Sequence, residues 1–142
     1  MEKLPDFCDV NVVVSKILSF HYFNKWSEKL FSKSDEKICS ARVKQTTLDV
    51  ISRLISDEGL LLYYRAKARR IFMEIKVYDV IDDVHKIELN NKLLFIRDLE
   101  DIEVLSDAIW IKDKYYDDHY VFWTKNRLKN EHNIDVRSPE TL

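Results

Sequence analysis

Phe7-Cys8-Asp9-Val10-Asn11-Val12-Val13-Val14 is the stretch whose reading decides the fold. From Asp9 to Val14 it is β-branched and too short for a helix of its own, so it reads as a buried strand. Ile17 to Phe20 carries the apolar character on and reads as a second strand able to pair with it. The period then changes. Within Tyr22 to Phe31, Phe23, Trp26 and Leu30 fall at i, i+3 and i+7, which is one face of a helix.

Working outward, Ser32 to Lys37 is polar and reads as a loop. Thr47 to Ile55 reads as a second helix with the stripe Leu48, Ile51, Leu54 and Ile55, capped by Thr46 or Thr47. Asp57-Glu58-Gly59 reads as its stop, with Gly59 free to take a left-handed cap conformation. Leu60 to Arg65 and Ile71 to Val77 read as extended segments joined by the basic turn Lys67-Ala68-Arg69-Arg70. Val77, Val80, Ile81 and Val84 restore helical spacing, and Asn90-Asn91 marks a turn before Leu93 to Ile96. Asp98 to Asp101 suits a helix start, followed by the buried face Ile102, Leu105, Ala108 and Ile109. Tyr116 to Leu128 reads as a last helix, and Lys129 to Leu142 as a polar tail that frays. Strands, helices, strands and helices in that order predict an α+β domain, not an alternating βαβ chain.

Composition narrows the function classes. The chain has 142 residues, enough for one domain with a real core. Lys+Arg at 23 against Asp+Glu at 25 gives a net charge of -2, which disfavours a nucleic-acid binder that relies on bulk positive charge. Gly59 is the one glycine, so phosphate-cradling loops, nucleophile elbows and dinucleotide fingerprints have no material to form from. Cys8 and Cys39 lack the spacing of a thiol zinc site or a disulfide framework. No run approaches eighteen apolar residues, and the opening Met1-Glu2-Lys3-Leu4-Pro5-Asp6 is not a signal peptide. The expectation is a cytoplasmic protein without membrane contact.

Two blocks of the chain belong together. The first is Phe7 to Val14, with Phe20-His21, Ser27 and Leu30-Phe31. The second is Val77-Tyr78-Asp79-Val80-Ile81-Asp82-Asp83-Val84 followed by Ile102 to Ile111, with Tyr120, Trp123 and Leu128 after it. In this order they resemble the BTB/POZ domains, with the flavour of the BTB portion of BTB-kelch proteins, poxviral ones included. The resemblance implies a small mixed sheet covered by helices, with residues 1–128 as the domain, residues 33–70 as a long middle insertion and residues 129–142 as the tail. It also implies a non-enzymatic interaction module without catalytic residues, metal or cofactor. Such a module homodimerises through its first helix, here Phe23, Trp26 and Leu30, and serves as a cullin adaptor or blocker in ubiquitin ligation, without binding nucleic acid. The plainer account of those three residues is that they are core. Tyr22 stands where the family has a basic residue, and Phe72-Met73-Glu74 and Trp26-Ser27-Glu28 have the composition of its cullin triplet in other places.

The alternative is an enzyme. Asp57, then Glu74-Ile75-Lys76 on an alternating strand, resembles the core of the PD-(D/E)XK nucleases. There, two carboxylates hold Mg²⁺ and the lysine activates water. A Glu-x-Lys pair is equally the ordinary look of a solvated strand face. His21, His85, His119 and His132 are scattered without helical metal-pair spacing, and no serine sits in a Gly-x-Ser-x-Gly setting.

Overall fold

In the computed structural model of the chain, which describes residues 5–80, 99–116, 121–124 and 135–142, the deciding stretch divides at Asp9. Asp6–Cys8 forms strand β1, and Val10–Ile17 forms helix α1. Asp9 is the N-cap between them: its backbone is extended and its carboxylate accepts a hydrogen bond from the Val10 N–H at 2.7 Å. The valines are therefore helical, and Ile17 to Phe20 is the end of α1 and a turn instead of a paired strand. Helix propensity costs each valine about 0.5 kcal/mol. Burying a valine side chain returns about 1.5–3 kcal/mol, and Val10, Val12, Val13 and Val14 are all buried. Tertiary burial wins.

The elements that follow are α2 (Asn24–Phe31), β2 (Lys37–Ser40), α3 (Ala41–Leu54), α4 (Glu58–Met73) and β3 (Ile75–Tyr78). Then come α5 (Leu99–Tyr115), β4 (Val121–Trp123), β5 (Asp135–Arg137) and a 3-10 turn at Pro139–Thr141. Among the described residues all the strands run parallel, in one sheet of order β3-β2-β1-β4-β5. Phe7 registers with Ile38 on one side and Phe122 on the other, and Cys8 with Trp123. A parallel sheet needs helical crossovers and is buried on both faces, as Phe7, Ile38 and Phe122 show on one face and Cys8 and Trp123 on the other. The architecture is α/β. The expected α+β arrangement with a small mixed sheet is corrected: helices connect the parallel strands β1, β2 and β3, and α5 precedes β4.

Several segments change type with it. Leu60 to Arg65, the basic turn and Ile71 to Met73 are one continuous helix, α4, and only Ile75 to Tyr78 is strand. α4 starts on Asp57, whose carboxylate accepts from the Leu60 N–H at 2.7 Å. Gly59 lies in its first turn with ordinary backbone and is not a left-handed cap. α3 begins at Ala41, six residues earlier than expected, because Ser40 and not Thr46 or Thr47 caps it. Residues 33–70, expected as an insertion, supply β2, α3 and most of α4. Residues 121–123, expected in a helix, are β4, and the expected tail supplies β5, whose Arg137 carbonyl accepts from the Thr124 N–H at 3.0 Å. The readings at Ile81 to Ile96, with His85, His119 and His132, fall outside the described residues. No helix among the described residues is long and apolar enough to cross a membrane.

Candidate active site at the carboxyl edge of the sheet

The chain lays β1, β2 and β3 on one side, then returns to place β4 and β5 on the other side of β1. Strand order therefore reverses between β1 and β4. In open parallel sheets the crevice beyond the carboxyl ends of the strands at such a reversal is the ligand-binding position. Asp9 follows β1 and Thr124 follows β4, so both stand at that crevice.

The two side chains are bonded. Thr124 Oγ1 lies 2.6 Å from Asp9 Oδ2 and donates its one proton there. Asn11 Nδ2 donates to Thr124 Oγ1 at 3.2 Å and reaches Asp9 Oδ2 at 3.4 Å. The Asp9 N–H donates to the Trp123 carbonyl at 3.0 Å, so backbone and side chain tie β1 to β4 at this point. Asp9 is only 4% exposed. A buried carboxylate is tolerated when charge-assisted hydrogen bonds surround it, and these fix its rotamer.

A second carboxylate stands at the same edge. Asp107, on α5, is 1% exposed and lines a cleft of about 460 Å³ with Ser40, Arg42, Gln45, Thr46 and Asp79. Arg42, in the first turn of α3, pairs through Nη1 with Glu103 and through Nε with Asp107 Oδ2 at 3.5 Å. α5 packs on β2, which brings Glu103 and Asp107 to the start of α3. On the β3 side, the Tyr78 and Tyr116 hydroxyls are 2.7 Å apart, and burial followed by that hydrogen bond raises the Tyr116 pKa.

The nuclease residues expected from sequence do not meet. Asp57 caps one end of α4 and Glu74 the other, so the helix holds them about 25 Å apart. Both are exposed, and the exposed Lys76 ammonium lies over the Tyr78 ring at 5.1 Å. Phe23 and Leu30 are buried in the protein's own core, while Trp26 is half-buried between Lys25 and Lys29. Asp9, Asp107, Thr124 and Arg42 were not singled out from sequence. The available signal was an acidic residue inside an otherwise apolar run, in Phe7 to Val14 and again in Val104 to Ile111, because such a burial is costly without a purpose.

No protein-family model and no curated protein matches the sequence. Solved structures do. A chain in the crystal structure of VapBC2 from Rickettsia felis, bound to a DNA fragment from their promoter, superposes with a TM-score of 0.70 at 16% identity, over 95% of this chain and 98% of that one. VapC20 from Mycobacterium tuberculosis, a sarcin-ricin loop cleaving toxin, superposes with a TM-score of 0.55 at 16% identity, over 77% and 82%. The fold is the α/β fold with a parallel five-stranded sheet that these two structures share.

The BTB/POZ resemblance is thereby overturned, since an all-parallel sheet with alternating helices is not that fold. The expectations built on it lose their footing together: a non-enzymatic module, a homodimer, a cullin or ubiquitin-ligase partner, a viral setting and the exclusion of nucleic acid. Of the two neighbours, VapC20 is a sarcin-ricin loop cleaving toxin, and the other lies in a complex on a promoter DNA fragment.

Proposed function

We propose that the chain is a metal-dependent ribonuclease of the VapC toxin type, acting in the cytoplasm on structured RNA and controlled by a small partner protein. The observation that carries this reading is the Asp9 carboxylate, pinned by Thr124 and Asn11 at the point where strand order reverses. The solved neighbours supply the reaction class, and VapC20 the kind of substrate.

The donor set fits a hard divalent cation. Asp9 and Asp107 each offer carboxylate oxygens at the carboxyl edge of the sheet, and no group of three or more His, Cys, Asp or Glu side chains forms a metal cluster among the described residues. Mg²⁺ and Mn²⁺ suit this sparse set, because Mg²⁺ commonly takes one or two carboxylates and completes its shell with water and substrate phosphate. Zn²⁺, which favours nitrogen and sulfur, does not. When bound, the ion would polarise a phosphodiester and make water a better nucleophile.

The chain's own residues do the positioning. Thr124 and Asn11 hold Asp9 in one rotamer before substrate arrives, which is pre-organisation of the ligand. The Asp9 N–H bond to Trp123 keeps β1 and β4 from spreading at the crevice. Incubating the purified protein with a structured RNA tests the reading. Cleavage is expected with Mg²⁺ or Mn²⁺, and not with chelator or with Asp107→Asn; cleavage that persists in chelator sinks it.

A further inference from the structure

Arg42 breaks a local rule. It is the second residue of α3, where the helix dipole favours negative charge, and α3 has no acidic residue in its first turn. The guanidinium reaches instead across to α5, engaging Glu103 through Nη1 and Asp107 through Nε. Asp107 is buried, and a carboxylate removed from water needs a positive charge close by. Arg42 meets that need from a side chain that is still 38% exposed, at an open cleft with room for it to turn outward.

We infer that Arg42 is the resident cation of this pocket, and that a divalent ion binding at Asp107 takes its place. Guanidinium and metal are alternative partners of one carboxylate. Arg42 therefore lowers the metal affinity of the protein and must swing away from Asp107 on loading. The inference rests on the metal-dependent reading above, and it gives a residue outside the two carboxylates control over when the site is charged.

Manganese titration of the full chain, followed by electron paramagnetic resonance without RNA, tests it. Arg42→Gln is expected to bind Mn²⁺ about tenfold more tightly than the wild type. Mn²⁺ should also raise the melting temperature of the variant more than that of the wild type. Equal or weaker binding by Arg42→Gln overturns the inference while leaving the metal-dependent reading intact. If neither protein binds Mn²⁺, both fall together. Should Arg42→Gln unfold in chelator, refolding on Mn²⁺ addition supports the exchange, and failure to refold counts against it.

Discussion

The Thr124 hydroxyl donates a 2.6 Å hydrogen bond to the Asp9 carboxylate across the gap where β4 meets β1. One residue from each strand thus fixes the same charge. Thr124→Val keeps the shape and removes the donor, leaving a buried carboxylate oxygen short of a partner. Cleavage should fall by about 10- to 100-fold, as when support for a metal-binding side chain is lost. Stability should fall by about 1–3 kcal/mol, read from urea denaturation. A variant as active as the wild type would mean that Asp9 needs no orientation from β4.

The two cysteines give a pH signature. Burial raises the Cys8 thiol well above its ordinary value and pushes Cys39 from 9.0 up to about 12. Both thiols therefore stay protonated in the folded chain at pH values where the unfolded chain has lost the proton. Their contribution to stability is complete below pH 9 and is lost as pH climbs toward 12. Each thiol lowers stability by up to about 1.4 kcal/mol per pH unit in that window. Denaturation midpoints at pH 8, 9 and 10.5 measure this, and a flat profile contradicts it. Thiol reagents should label neither cysteine until denaturant is added.

Asp6 is the anchor at the opposite end of β1. Its carboxylate pairs with the buried Lys37 ammonium at 3.1 Å and accepts from the Trp123 indole at 2.8 Å. Removing one member of a buried pair strands the other, at a cost of about 3–5 kcal/mol. Lys37→Met should fall near the lower figure, because Lys33 also approaches Asp6 at 3.4 Å. Thermal melting checks this; a loss under 1 kcal/mol would show that Lys33 suffices.

Asp57 has a purely structural part to play. As the exposed N-cap of α4 it should lose about 1 kcal/mol of stability on Asp57→Ala, with RNA cleavage unchanged. A loss of cleavage without a loss of stability would return it to the site.

How far the chain could be read from sequence depended on where its energy comes from. α2 and α5 were legible because Leu30, and then Ile102, Leu105, Ala108 and Ile109, are buried at helical spacing, although α5 is enclosed all round from Val104 to Lys112. α1 was not, because its valines are buried where it packs on α2, α3 and α4, and burial outweighed their strand preference. α4 hid its period by leaving Leu60, Leu62, Tyr63 and Met73 exposed, so its apolar residues mark no single face. β4 and β5 are three residues each; β4 builds on the edge of β1, and β5 on that of β4. The site was hidden for the same reason. Asp9 and Thr124 are 115 positions apart in the chain, and Arg42 meets Asp107 only once α5 lies on β2.

The central claim is that Asp9 at the strand reversal, and not the carboxylates at the ends of α4, belongs to a nuclease centre. Parallel cleavage of one structured RNA in Mg²⁺ by the wild type, Asp9→Asn and Glu74→Gln tests it most directly. The account predicts equal cleavage by the wild type and Glu74→Gln, and none by a folded Asp9→Asn. Full activity in Asp9→Asn, or its loss in Glu74→Gln, would contradict it.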